Sequence, residues 1–325
     1  MASETSPRTK AFIALHSAVF LWGFTAILGK LISYGSIYLV WHRMAITALV
    51  YFAMPIVWKQ IRILSAKTIA QFLGIGIIVC AHWLTFYGSI KLGNSVSITL
   101  ACLGSASFFA SVIEPFLLKK PFSQRDIFMG LIVMLGVIFI YFSLPQPSNP
   151  NQHYGWAVVA GLLSAALAAT FTTLNKKYIT TAGPLAISAL EMLSGALFLT
   201  IIVPFASPDH IQWLPHIDIN HLSVSNLRDG SWDLIWIAIL AVLCTNLTFY
   251  LGTYALQQLS AFTANLTVNL EPIYGIVLGA LIFHENQDLN VWFYTGTGII
   301  LSAIFAQAYL SNRKQTPTHP SEAQG

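Results

Sequence analysis

Apolar residues in this chain come in long runs rather than in alternation with polar ones. Ten runs stand out, near 11–32, 37–58, 69–90, 95–118, 127–144, 155–175, 184–206, 233–256, 260–283 and 291–311. About 20 apolar residues cross the hydrocarbon core of a bilayer, so each run predicts one membrane span. The spans must be helices, because lipid offers no partner for an unpaired backbone group. Two polar stretches interrupt the pattern. Residues 143–154, SLPQPSNPNQHY, divide the chain in half, and residues 207–231, with Asp209, Asp218, Arg228 and Asp229, form the longest connection. The first run follows Arg8 and Lys10, as a signal peptide would, but shows no small-residue cleavage site, so it reads as a mature helix. Trp41, Trp58, Trp156, Trp232, Trp236 and Trp292 fall near run ends, where interfacial anchors belong.

Composition agrees. The 325 residues are 56% hydrophobic and 9% charged, against about 25% charged in soluble domains. The expected class is an all-α integral membrane protein of ten transmembrane helices. Charge then gives an orientation. Arg8, Lys10, Lys59, Arg62, Lys67, Lys119, Lys120, Arg125, Lys176, Lys177, Arg313 and Lys314 fall in alternate connections or at the termini. Cationic loops stay cytoplasmic, so both termini are expected inside. The net charge of +4 does not imply nucleic acid, because the basic residues sit in short loops beside apolar runs. Cys80, Cys102 and Cys244 each lie alone inside a run, as small buried hydrophobes. There is no metal spacing, phosphate loop or nucleophile motif, so neither cofactor nor metal is expected, and the chain reads as a non-enzyme.

The halves resemble each other. LTFY occurs at Leu84–Tyr87 and again at Leu247–Tyr250; SIKLGNSVS from Ser89 meets YALQQLSAF from Tyr254, and PFLLKK from Pro115 meets ALIFHE from Ala280. Five spans per repeat is an odd number, so the second repeat must be inverted, the common plan of secondary transporters. The expected division is a first repeat at 1–145, an external linker at 146–154, an inverted repeat at 155–312 and a disordered tail at 313–325.

Several residues match a known family. LWGFTAILGK (Leu21–Lys30), WHRMAITAL (Trp41–Leu49) with its Arg43, and NLEPIYGIVLGALIFHE (Asn269–Glu285) resemble the EamA-type ten-helix members of the drug/metabolite transporter superfamily. His284 stands where that family has Gly. The resemblance implies a secondary transporter, an exporter of small metabolites in a bacterial inner membrane.

Polar side chains inside the runs are the candidate site, because a charge at mid-span costs about 2.5–3.5 kcal/mol and is kept for a reason. Arg43 reads as a structural tie or as a gate or substrate-carboxylate contact. Glu271, before Pro272 in the middle of run 9, lies on a polar stripe with Asn265 and Asn269, four residues apart. It reads as a buried kink residue or as a substrate or proton site. His82 is near mid-membrane with Trp83 and Tyr87, and Asn246 and Tyr250 lie at comparable depth in the other half. Trp22 and Thr25 of run 1 suit a cavity wall for amino-acid side chains or amines. Glu191, Glu271 and His82 are candidates for proton coupling. Glu114 reads as an interfacial ion pair with the nearby Lys119 and Lys120, and His284, Glu285 and Asp288 as a solvated turn. The expected partners are a small-molecule substrate, the lipid bilayer and protons, acting on a monomer. A channel or facilitative pore, a lipid translocator and an intramembrane enzyme are the rivals.

Overall fold

A computed structural model of the protein describes residues 6–142, 144, 152–206, 227, 230–259 and 267–313. Most of the 143–154 connection, most of 207–231, nearly all of the tail, and Asn265 lie outside the described residues. All regular structure among the described residues is helical. The first half contains α1 (Pro7–Leu31), α2 (Ser36–Phe52), α3 (Pro55–Ile61), α4 (Ala66–Gly93), α5 (Val96–Leu103), α6 (Ala106–Leu118) and α7 (Gln124–Phe142). The second contains α8 (Tyr154–Tyr178), α9 (Pro184–Ala206), α10 (Asp233–Ala238), a π segment (Ile239–Leu247), α11 (Thr248–Gln258), α12 (Glu271–Phe283) and α13 (Val291–Arg313). Among the described residues, seven spans are long and apolar enough to cross a membrane, or eight if the bent pair α2 and α3 is counted as one span. The remaining apolar helices, α12 and Val291–Gln307 of α13, are shorter.

Three runs are broken rather than continuous. Run 2 turns by 89° between α2 and α3. Pro55 opens α3 at its first position, where its missing N–H costs nothing, and it disfavours helix at Met54 before it. Run 4 breaks in a turn at Gly104-Ser105, between α5 and α6. Run 9 breaks in a turn at Asn269-Leu270, so Glu271 begins α12 and does not sit on a continuous kinked helix. The last two breaks correspond in the two halves. Each is followed by a helix of 13 residues, α6 and α12. Each helix ends in the same left-handed cap, at Lys119 (φ 54°) and His284 (φ 56°).

The largest core packs α1, α2, α4, α9 and the π segment around Tyr51, Phe72 and Tyr87. A second joins α5, α7, α8 and α13 through Val133, Phe293 and Ile300. Elements of the two halves are therefore interleaved: α4 packs on α8 and α9, α7 on α13, and α1 on α11 and α12.

The molecule has two chemically distinct ends. At one, Lys30 donates to Glu285 Oε1 at 2.7 Å, the Ser33 hydroxyl and N–H donate to Asp233, and Lys91 donates to the Ile32 carbonyl. We call this the latch end. At the other, the basic end, Lys176 and Lys120 reach Glu114 Oε1 at 2.8 and 3.4 Å, and Arg125 donates to the Leu310 carbonyl.

Candidate functional site

Arg43 is the centre of the buried polar cluster. It lies on α2, is only 5% exposed, and sits between the halves. Its Nε donates to Thr245 Oγ1 of the π segment at 3.0 Å, and its Nη1 to Tyr87 Oη of α4 at 2.8 Å. The guanidinium carbon stacks 3.6 Å from the centroid of the Trp83 ring, a cation–π arrangement that replaces lost hydration. Arginine has five N–H donors, so three, on Nη1 and Nη2, have no hydrogen-bond partner among the described residues. No ion pair with a carboxylate holds Arg43 among the described residues.

The π segment explains how Thr245 meets Arg43. Its wider turn lets Thr245 Oγ1 donate to the Leu240 carbonyl five residues back, at 2.8 Å. Single stretches of π-helix occur mostly where a helix must re-aim side chains. Tyr87 and Tyr250 end the two LTFY copies, yet Tyr87 is fully buried beside Arg43 while Tyr250 is 64% exposed on the outer surface. Tyr250 therefore stands apart from the cluster. Asn246 has a buried side-chain oxygen and nitrogen with no hydrogen-bond partner among the described residues.

Trp22 and Thr25 join the cluster from α1. Trp22 Nε1 donates to Thr248 Oγ1 at 3.0 Å, and Thr25 Oγ1 donates to the Trp22 carbonyl at 2.7 Å while standing beside the Tyr87 hydroxyl. Glu271 completes it. A Cβ on Gly23 would lie 3.0 Å from the Glu271 carbonyl oxygen and the Gly275 nitrogen, so glycine here lets the backbones of α1 and α12 touch. That contact fixes the start of α12. It puts the Glu271 carboxyl, itself buried, within electrostatic range of Arg43. Asn269, in the turn before α12, is partly accessible.

His82 is close but committed elsewhere. It lies on the α8 side of α4, with Nδ1 2.9 Å from both the carbonyl and the hydroxyl oxygen of Ser164. Glu191 is buried on α9 and makes no ion pair with Arg43. Among the described residues, no group of three His, Cys, Asp or Glu could hold a metal.

Two features escape a reading of the sequence. Thr245 is inconspicuous beside Asn246, although its spacing from Thr248 puts both on one helix face. More important, the turn after α12 is not solvated at Glu285, which is 3% exposed. Besides Lys30, the carboxylate accepts from Val96 N–H (2.9 Å), Ser97 N–H (2.9 Å) and the Ser95 hydroxyl (3.1 Å). It thus caps the start of α5, where backbone donors and the helix dipole favour an anion. Lys30 also lies 4.7 Å above the Phe283 ring. Glu114 does form the expected ion pair with Lys120, but its shorter contact is Lys176 of the other half.

The profile of the EamA-like transporter family matches residues 9–142 and 155–307. An uncharacterized transporter of Archaeoglobus fulgidus is 24% identical over 299 residues, covering 91% of this chain and 98% of that protein. A solved crystal structure has the same fold, with a TM-score of 0.59 at 11% identity, over 95% of this chain and 99% of the other.

Proposed function

This chain belongs to the EamA-like transporter family and is a multi-pass membrane protein, and from that premise we propose that it exports small polar metabolites, amino acids or related amines, by secondary active transport. Its plan is ten spans in two inverted repeats, 1–145 and 155–312, separated by an external linker. The basic end faces the cytoplasm of a bacterial inner membrane, the latch end faces outside, and the chain works as a monomer without enzymatic activity.

One observation carries this reading: the held but unneutralised Arg43. Tyr87 and Thr245 fix the guanidinium, and Trp83 shields one face, yet three N–H donors have no partner among the described residues. Arginine in such a fork favours a carboxylate. Glu271, its carboxyl buried within electrostatic range of Arg43, supplies the complementary group for an amine. A zwitterion satisfies both. Trp22, Thr25, Asn246 and Asn269 provide further polar or aromatic contacts around it, and the site lies between the halves, where alternating access places a carrier site.

The test is counterflow in proteoliposomes with amino acids, amines, purines and small sugars. We expect saturable exchange of an amino acid or amine. Arg43→Gln and Glu271→Gln should each lower it by about tenfold or more, as loss of a charged hydrogen bond of roughly 1.5–3 kcal/mol requires. Normal yield and unfolding temperature establish that both variants are folded. Unchanged exchange in both would remove the site from this cluster, and linear, non-saturating flux would make the protein a channel.

A further inference from the structure

The basic end gathers more positive charge than it neutralises. Lys119 and Lys120 follow α6, and Lys176 and Lys177 lie in the last turn of α8, in the other half. All four are exposed. Three of the ammonium groups meet at the end of α6. Lys176 and Lys120 donate to the same oxygen, Glu114 Oε1, at 2.8 and 3.4 Å. Lys177 donates to the Leu117 carbonyl, one turn on, at 2.9 Å. Lys119 stands at the cap of that helix.

The negative charge nearby falls short. Glu114 contributes one unit, and the C-termini of α6 and α8 contribute roughly half a unit each. Four lysines therefore keep an excess of about two positive charges. The next carboxylate along the chain, Asp126, is paired with Arg125 at 3.2 Å. Each ammonium carries three donors, and Lys120, Lys176 and Lys177 each use one in the contacts above. Held on one oxygen, Lys120 and Lys176 repel each other, and a second anion beside Glu114 relieves both.

Beside the lysines the surface is apolar and faces outward. Phe116 of α6 is 70% exposed and Phe122, in the connection that follows, is 48% exposed. Their rings meet edge to face with centroids 5.2 Å apart, and in sequence they bracket Lys119 and Lys120. Both groups of lysines lie where candidate spans end, at Leu118 and Thr181. Ammonium groups beside exposed aromatic rings at a span end complement the two parts of a phospholipid, a phosphate and its acyl chains. We propose that this end is a docking surface for an anionic phospholipid of the surrounding membrane, its phosphate seated on Lys120, Lys176 and Lys177 and its chains against Phe116 and Phe122. The lipid bridges the two halves, because the lysines come from both. Such a site depends on the chain lying in a membrane and not on what the carrier moves.

The test is native mass spectrometry of the full-length protein in detergent, titrated with phosphatidylglycerol and, as the neutral comparison, phosphatidylcholine. We expect preferential retention of phosphatidylglycerol. Lys120→Gln should weaken its binding about fivefold, and Lys176→Gln with Lys177→Gln about 25-fold. Phe116→Ser should weaken both lipids. Lys59→Gln, Arg62→Gln and Lys67→Gln together remove three exposed cations around the α3–α4 connection and should leave binding unchanged. Equal retention of the two lipids would overturn the proposal. So would an equal loss in the triple variant, which would mean diffuse attraction to the whole basic end. Glycerol phosphate displacing the lipid at equal concentration would overturn it in favour of a soluble phosphate ligand. Unfolding temperatures in detergent alone establish that the variants are folded. If the Lys176 and Lys177 double variant does not fold, Lys120→Gln alone decides the matter.

Discussion

The same 13-residue helix occurs twice and ends in two different ways. α6 and α12 both close in a left-handed cap, at Lys119 and His284. The next residue is Lys120 in one and Glu285 in the other. Lys120 has a side chain 54% exposed and reaches Glu114 at 3.4 Å; Glu285 has a side chain 4% exposed and meets Lys30, itself 7% exposed, at 2.7 Å. Glu285 accepts three further hydrogen bonds from the start of α5. The flanking helices follow suit. α5 buries nearly every residue, whereas α6 buries none. The difference teaches that one scaffold supports a dry lock at one end and a wet contact at the other.

The largest way to break the comparison is to remove one half of the lock. Glu285→Ala leaves Lys30 buried without its carboxylate, and breaking a buried pair on one side costs about 3–5 kcal/mol. We expect a large fall in unfolding temperature. Replacing both residues, as Lys30→Met with Glu285→Met, should recover much of it, since a well-packed apolar pair is often neutral or better. A single variant as stable as the parent would show that the latch is not a lock.

Acid should open the same end. Burial raises the Glu285 carboxyl, but Lys30 with the Ser97 and Val96 donors outweighs it and holds the group below the ordinary carboxylate range. Its contribution is therefore complete above the usual value of about 4.3 and is lost as pH falls through the lower folded value. Unfolding temperature should be insensitive to this group from neutral pH down to that range, then drop. Glu285→Gln, destabilised throughout, should lose that acid step.

Much of this was legible in the sequence, and the reason for each miss is physical. The apolar runs announced the helices because a bilayer demands length and uniform hydrophobicity. Arg43, Trp83, Tyr87 and Glu271 were findable because a charge or polar group in lipid must be kept for a purpose. What no local pattern encodes is which distant residue completes a pair. Lys30 and Glu285 are joined only by the fold, and Glu285 in a short polar turn has the composition of a solvated loop. The π segment was equally silent, since its residues read as ordinary apolar helix. The breaks before α6 and α12 lie inside runs that hydropathy treats as continuous.

The caps allow a smaller test. A non-glycine residue in the left-handed region costs roughly 1–2 kcal/mol, and glycine escapes that strain. His284→Gly and Lys119→Gly should each raise the unfolding temperature by the equivalent of about 1 kcal/mol. Similar gains at the two positions would confirm that the caps are equivalent, whereas a loss at His284 alone would mean that its side chain supports the latch.

The smallest effect is expected at the wet contact. Glu114 joins Lys176 and Lys120, whose side chains are 60% and 54% exposed. Solvated pairs of this kind contribute about 0.2–1 kcal/mol and are screened by salt. Glu114→Gln should therefore shift the unfolding temperature little, and less still at high salt, where Glu285→Ala keeps its full effect. The salt series matters more than either single value. Insensitivity at the latch end and screening at the basic end is what burial at one and water at the other require. Equal salt dependence at both ends would mean that water reaches Lys30 and Glu285, and the distinction between lock and contact would fail.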